Sequence, residues 1–385
     1  MKIICIQVSS QLTVKSDPKT REYYDAIYRK PGFFRSLDYW EIPLWIAKVT
    51  FNFPRLTYFY CVKDIEQGIE WLNTEYNSKE DYILFSVLDS NKETIRRLIT
   101  SYTGKGTIIC GGYIPAGYFV YDKVLWFDEI SDLGKFFSST WKEGLNFKLF
   151  AGEKTIPRLT LSTGCLNHCK FCPVQKTLVE KTVSEILNEI DSFEPLVYDY
   201  IYINDKTFGQ CRNHGLIPFL FGYIETMNPR FKGFIIQTTA TQLDEIADEI
   251  LNPEFIAYIE LGIETFNDSI LKAMKKPHNE SYIVRAMFLA GAVKIPIIPN
   301  IIVGLPGENG ETYQKTLDFL QSFWMIISHL NLYSLAVYDN TELKKELPDH
   351  GTNENEVSLS EECHSKAFKK FLEFGLKQLT RERNR

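Results

Sequence analysis

Apolar residues in the first third of the chain fall into short runs, with helix-like spacing between them. Residues 2–8 make one run. Residues 82–88 make a continuous second run, as in a strand buried on both faces. Residues 107–110 make a third, ending at Gly111 and Gly112, and residues 124–127 a fourth. Between the runs the apolar period changes to that of a helix. Ile65, Ile69 and Leu72 follow Asp64, a candidate N-cap. Ile95, Leu98 and Ile99 follow Ser90, Asn91, Lys92 and Glu93, which read as a capping box. Strands alternating with helices predict a parallel, doubly wound, Rossmann-like domain over residues 1–140.

Residues 138–157 mix polar and aromatic positions around Gly144 and Gly152, and read as a link. The alternation then restarts. Strands are expected at residues 158–162, 198–203, 233–238, 256–262, 297–303 and 330–336. Val183, Ile186, Leu187 and Ile190 mark one helix, over 182–190, with Thr182 and Glu185 as its capping box. Residues 312–323 make another. Six such units predict an α/β fold of a second kind, a partial (β/α)6 TIM-type barrel over residues 155–345, open on one side. In such barrels the chemistry sits at the carboxyl ends of the strands. The remaining segment, 346–385, reads as a polar loop over 349–357 and an amphipathic C-terminal helix opening at Ser358 and Glu361.

Composition narrows the function. The 385 residues are 44% hydrophobic and 24% charged, which supports ordinary packed cores. The net charge of −6 argues against broad binding to a phosphate backbone, so nucleic acid is not an expected partner. No apolar run reaches transmembrane length. The N-terminal run is cut short by Gln7, Ser9 and Ser10, which suits a buried strand rather than a secretory signal; a cytoplasmic protein is expected. The eight cysteines are too sparse for a disulfide scaffold. Five are scattered and three are crowded.

The crowded three are Cys165, Cys169 and Cys172, spaced C-x3-C-x2-C directly after a predicted strand. A structural zinc site wants four ligands, usually as two pairs, and no second pair follows. Three thiolates on one loop can instead hold three irons of a cubane. The fourth iron then stays open to a chelating substrate. This pattern resembles the radical S-adenosylmethionine (SAM) superfamily, in which an aromatic residue commonly precedes the third cysteine, as Phe171 does here. The resemblance covers roughly residues 157–345. It implies a [4Fe-4S] cluster on Cys165, Cys169 and Cys172 that cleaves SAM to a 5′-deoxyadenosyl radical. It also implies an electron donor such as flavodoxin or ferredoxin, and sensitivity to oxygen.

Further segments extend the resemblance. Asn204 and Asp205 end the second barrel strand, where the family holds the SAM amino group. Gln237 ends the third. Glu264, in Gly262-Ile263-Glu264-Thr265, matches the family's ribose-binding segment, with Thr265 in place of Ser. Gly304, in Gly304-Leu305-Pro306-Gly307-Glu308, matches the turn that meets the adenine. Lys275 and Lys276 read as a solvated helix end. Tyr338 and Thr341 resemble the ends of a Tyr-Pro-Gly-Thr segment, with Asp339-Asn340 between them.

A doubly wound domain ahead of such a barrel resembles the cobalamin-binding class of the superfamily. Ser86, Gly111 and Gly112, the last followed by Tyr113-Ile114-Pro115, fit the positions that line the corrin there. The acidic turn usual in that class is degraded here to Trp126-Phe127-Asp128-Glu129, and no histidine precedes His168. The expectation is cobalamin-dependent methylation of an unactivated centre, on a small-molecule or peptide substrate. Alternatives are a cobalamin-independent rearrangement or cyclisation with a relic first domain, and a methylthiotransferase using Cys5, Cys61 and Cys110 for a second cluster. A non-catalytic iron-sulfur sensor is the fourth reading.

Overall fold

The computed structural model describes residues 1–13, 18–33, 39, 41–76, 78–88, 90–112, 116–119, 121, 123–347 and 362–383. These form two compact units. One comprises Met1–Asp17, Phe34–Pro157 and Leu187–Val197; the other comprises Pro18–Phe33, Arg158–Ile186 and Tyr198–Arg385. One boundary between the units lies between residues 157 and 158. Two segments depart from the sequence-based division: residues 18–33 belong to the second unit and residues 187–197 to the first. No helix among the described residues is long and apolar enough to cross a membrane.

The first unit holds five strands: β1 (Lys2–Val8), β2 (Thr57–Val62), β3 (Asp81–Val87), β4 (Thr107–Gly112) and β5 (Val124–Trp126). They pair in parallel in the order β2-β1-β3-β4-β5. The order reverses between β1 and β3, and ligands of open parallel sheets bind outside the carboxyl ends at such a switch point. Ile4, Ile6, Ile83, Phe85 and Ile108 from the strands pack with Leu72, Ile95 and Leu98 from the helices. Burial of each such side chain contributes about 1.5–3 kcal/mol relative to exposure.

β2 is a strand that the apolar pattern did not announce. It lies at the sheet edge, and Tyr58 is 44% exposed, so its sequence lacks both a buried run and a clean alternation. Asp64 caps the helix Ile65–Glu75 as expected, accepting from the Gln67 N–H at 2.9 Å. The expected capping box at residues 90–93 does not form. The N-cap of helix Lys92–Ser101 is Asn91, and its side chain turns back to accept from Leu88 N and donate to the Ser86 carbonyl.

The second unit is built on six parallel strands: β6 (Arg158–Leu159), β9 (Ile201–Ile203), β10 (Phe234–Thr238), β11 (Ile256–Glu264), β12 (Ile297–Val303) and β13 (Asn331–Ser334). A two-stranded antiparallel ribbon, β7 (Ser162–Thr163) and β8 (Val179–Glu180), lies between the first two in sequence. The six strands run in chain order from β6 at one edge to β13 at the other. Sequential parallel neighbours with crossover helices are the repeat of a (β/α) barrel, here left open. Thr182 and Glu185 form the expected capping box on helix Val183–Asp191. Helix Gly310–Ser322 starts earlier than its apolar period suggested, because Asn309 supplies the cap and Thr312 completes it. The helix Glu362–Arg383 is present, while its expected start at Ser358 and Glu361 and the 349–357 loop lie outside the described residues. Helix Pro18–Tyr28 belongs to this unit: the buried Tyr23 hydroxyl donates to the Leu330 carbonyl and accepts from its N–H, both at 2.8 Å.

Candidate active site

The cysteine loop leaves the barrel directly after β6 and is closed by the β7–β8 ribbon. Gly164 makes the closure possible: its φ is +86°, and a Cβ there would lie 1.8 Å from the Thr177 carbonyl oxygen. Cys165 follows, with its N–H on the Gln175 carbonyl at 3.0 Å. Its thiol is buried, receives the Asn167 N–H at 3.4 Å and lies 3.3 Å from the Thr207 hydroxyl. Cys172 N bonds Cys169 O at 3.2 Å, so the second and third thiols sit on one turn. Burial pushes the Cys169 thiol up, and the Lys276 ammonium pulls it down.

Those features fit an iron-sulfur cluster. N–H and hydroxyl groups directed at a sulfur stabilise a thiolate and tune a cluster. Among the described residues no three His, Cys, Asp or Glu side chains converge on a point that would hold a single metal ion. A cubane would take each thiolate at a different iron.

Asp205 holds the loop in place. Its Oδ1 accepts from Leu161 N at 2.8 Å and Ser162 N at 3.0 Å, and its Oδ2 from the Ser162 hydroxyl at 2.6 Å. The Cys211 thiol approaches Oδ2 at 3.7 Å. The carboxylate is 1% exposed, so both oxygens are committed to the strand that delivers the cysteines. The sequence reading expected it at the SAM amino group; here its bonds run to the strand that delivers the cysteines. Asn204, half-buried beside it, accepts from the Arg158 guanidinium at 3.2 Å. Gln237 is half-buried at the end of β10, with its Oε1 2.9 Å from the Tyr202 hydroxyl.

Glu264 has a φ of +66°, and the β11–β12 register shifts between Gly262 and Glu264. A bulge of this kind re-aims a side chain at a strand end. The carboxylate meets Lys276 Nζ at 2.9 Å, with side-chain exposures of 10% and 5%. Lys276 therefore corrects the expectation of a solvated helix end. Helix Asp268–Ala273 closes with Lys275 at φ +55° and a Lys276 N to Leu271 O bond of 3.0 Å. This Schellman-type ending sends Lys275 outward to Glu342 and Lys276 inward. Lys276 also lies over the Phe171 ring at 5.9 Å. Nothing in the local composition distinguished the two lysines; the left-handed residue between helix and turn does.

The Gly304 turn is equally organised from within. Gly304 has φ +98°, and its N–H is shared by Glu308 Oε2 and the Tyr313 hydroxyl, both at 3.0 Å. Glu308 Oε2 also takes Leu305 N at 3.1 Å. Burial pushes the Glu308 carboxyl up to about 7. The Tyr313 hydroxyl lies 2.5 Å from His364 Nδ1, which ties helix Glu362–Arg383 to this turn.

In the first unit, Ser86 is half-buried near the carboxyl end of β3, and Leu88 beyond it is 39% exposed. Gly111 and Gly112 end β4. A Cβ on Gly112 would lie 2.0 Å from the Val87 carbonyl oxygen, and one on Gly111 would lie 2.7 Å from that of Phe127. Close packing within the sheet accounts for both glycines. A corrin's fit therefore rests on the switch-point position of Ser86 and Leu88. Tyr113, Ile114 and Pro115 lie outside the described residues.

A family profile described as the radical SAM superfamily matches residues 159–320. The ribosomal protein uS12 methylthiotransferase RimO of a Nitratiruptor species is 24% identical over 218 residues, 52% of this chain and 49% of that protein. RimO of Campylobacter fetus is 26% identical over 189 residues, 46% of this chain and 43% of that protein. The chain spans about half the length of the curated relatives it matches. Among solved structures, the radical SAM methyltransferase TsrM from Kitasatospora setae, with cobalamin and a [4Fe-4S] cluster bound, superposes with a TM-score of 0.62 at 10% identity, covering 91% of this chain and 78% of TsrM. The cobalamin-dependent radical enzyme OxsB, with aqua-cobalamin and SAM bound, gives 0.59 at 14% identity, covering 90% and 60%. At such identities the likeness is one of fold.

Proposed function

The chain belongs to the radical SAM superfamily through residues 159–320, and from that premise we propose that it is a cobalamin-dependent radical SAM methylase. When bound, a cluster supplies the electron that breaks the S–C5′ bond of SAM, and methylcobalamin supplies a methyl group. The observation that carries the reading is the pairing of two sheets in one chain. A 2-1-3-4-5 parallel sheet precedes a six-stranded open barrel whose first loop carries three cysteines around a buried, hydrogen-bonded Cys165 thiol.

Within this reading Cys165, Cys169 and Cys172 hold the cluster. Asp205 fixes the strand behind them. Asn204 offers a polar group next to Asp205, and the Glu264 oxygen not taken by Lys276 can accept from a ribose hydroxyl. Lys276 pairs with Glu264, and its charge pulls the Cys169 thiol down against the burial that raises it. The Gly304 turn presents backbone to the nucleoside. Ser86 and Leu88 would border a corrin held without a histidine ligand. A reducing cytosol and a flavodoxin- or ferredoxin-type donor complete the proposal.

A second reading comes from the named relatives, which are methylthiotransferases. It would need a second cluster on Cys5, Cys61 and Cys110. Cys5 on β1 and Cys110 on β4 are both buried, with β3 between their strands. Burial raises both thiols, Cys110 to about 12. Such thiols behave as core hydrophobes.

The test is anaerobic reconstitution, reduction, and incubation with SAM with and without hydroxocobalamin. Formation of 5′-deoxyadenosine together with cobalamin-dependent S-adenosylhomocysteine supports the methylase. Deoxyadenosine unaffected by cobalamin sinks the corrin part. An iron content near eight rather than near four per chain moves the assignment to the methylthiotransferase reading.

A further inference from the structure

The inner wall of the open barrel carries a polar layer one step deeper than the groups at the strand ends. Arg158 on β6 lies beside Tyr202 on β9, its guanidinium 4.4 Å from the ring centre. Glu260 on β11 is in register with Gln237 on β10. Asn300 on β12 is in register with Asn331 on β13. Glu260 joins these strands: Oε2 lies 3.0 Å from the Tyr202 hydroxyl and Oε1 accepts from Asn300 Nδ2 at 2.9 Å. Asn331 adds a third side-chain hydrogen bond, and the Arg158 charge adds a Coulombic pull. The three hydrogen-bond partners are neutral.

Hydrogen-bond accounting shows what this layer lacks. Tyr202 has one hydroxyl proton and two facing oxygens, Gln237 Oε1 at 2.9 Å and Glu260 Oε2 at 3.0 Å. Asn300 is 5% exposed, and its Oδ1 is buried with no donor. Turning the amide would place that oxygen against Glu260, so the observed orientation is the favourable one. A buried carboxylate and a buried unmatched carbonyl stand on neighbouring strands, so an acceptor at Asn300 is left over beside the Glu260 charge. An unmatched buried acceptor is destabilising until a donor reaches it. Burial also pushes the Glu260 carboxyl up, against the pull of its hydrogen bonds. A cation beside it would offset that burial. The wall is reachable: Arg158, Gln237 and Asn331 are half-buried, and Tyr333 is 42% exposed.

We propose that Glu260 and the Asn300 Oδ1 atom bind the primary ammonium group of the substrate, whose body lies along the Tyr202 and Tyr333 rings. This names a substrate class, an amine with an aromatic or alkyl body, and it rests on the reading of the barrel as a radical SAM site. The ammonium brings up to three N–H donors, which match the acceptors left over. Glu260 supplies the counter-charge in a setting where its own hydrogen-bond donors are all neutral.

The test compares 2-phenylethylamine with 2-phenylethanol, which differ in the ammonium alone, by ligand-observed NMR titration of the full chain. Binding is read with and without the reconstituted cluster, and deoxyadenosine formation is assayed separately on the same preparation. Failure of SAM cleavage and failure of amine binding are thereby distinguished. The amine should bind at least about tenfold more tightly than the alcohol, as expected of one charge-assisted contact. The preference should vanish in Glu260→Gln and shrink in Asn300→Leu. If either variant misfolds, the comparison in the unaltered protein still decides. Equal affinities, or no amine binding at millimolar concentration, overturn the proposal. So does displacement of the amine by S-adenosylhomocysteine, which would assign the acceptors to the ammonium of SAM.

Discussion

Lys276 Nζ and Glu264 Oε1 lie 2.9 Å apart with both side chains almost fully buried. The Lys170–Glu346 and Arg285–Asp244 pairs, by contrast, each keep one partner well exposed. A buried pair differs from a surface pair in kind. Its net contribution is modest, but removing one member strands the other charge. Lys276→Met should therefore lower unfolding stability by about 3–5 kcal/mol in denaturant titrations. The double variant Lys276→Met, Glu264→Gln should recover part of that loss. A single-variant loss under about 1 kcal/mol would mean that water reaches the pair.

Asp205 gives a prediction about the cluster. Its four contacts fix the strand that ends at the cysteine loop. Asp205→Ala leaves two buried N–H groups and a hydroxyl unmatched, at a cost of about 1–3 kcal/mol each. Iron and sulfide bound after reconstitution should fall well below the parent value, while Asn204→Ala should keep it. Equal iron in Asp205→Ala and parent would assign the carboxylate another role.

The Glu308 carboxyl sets a pH dependence. Its pKa rises from 4.5 to about 7, chiefly by burial. The folded protein thus binds this proton more tightly than the unfolded chain. The resulting stability is complete below pH 4.5, falls as pH rises toward 7, and is gone above it. Over that window the shift amounts to about 3 kcal/mol. Glu308→Gln cannot titrate. Urea unfolding at pH 5 and pH 8 should show the parent losing about 2.5 kcal/mol relative to the variant. Parallel pH profiles would refute the raised value.

Gly112 offers a test that separates packing from cofactor binding. Its φ is +143°, and an added Cβ would press on the Val87 carbonyl. Gly112→Ala should cost about 3 kcal/mol or more, from strain and overpacking together. That loss should be the same with and without cobalamin. A variant of parental stability that fails to bind cobalamin would return the glycine to the corrin site.

The parts legible in the sequence were those whose cause is local. The cysteine spacing sits within eight residues, Thr182 and Glu185 cap within one turn, and the apolar runs record strands buried on both faces. The parts that were not legible depend on distant partners. Asp205 reads as a strand-end acid and acts on Leu161 and Ser162, more than forty residues earlier. Lys276 reads as a helix-end charge until the left-handed turn at Lys275 points it inward. Asn91 sits where a cap belongs, yet Leu88 and Ser86 take its side chain. Glu260 and Asn300 share a face by strand alternation, but that they meet follows from the order of the sheet.

The placement of Pro18–Phe33 in the second unit bears on how the polypeptide is made. Tyr23 is emitted from the ribosome some three hundred residues before Leu330, to which its hydroxyl bonds in both directions. It also packs on Gly375, where a Cβ would lie 2.6 Å from its ring. The helix Pro18–Tyr28 must therefore wait, its apolar face uncovered, through most of synthesis. Cleavage at residue 157 would not yield two autonomous halves, since the barrel half would leave one of its own helices behind.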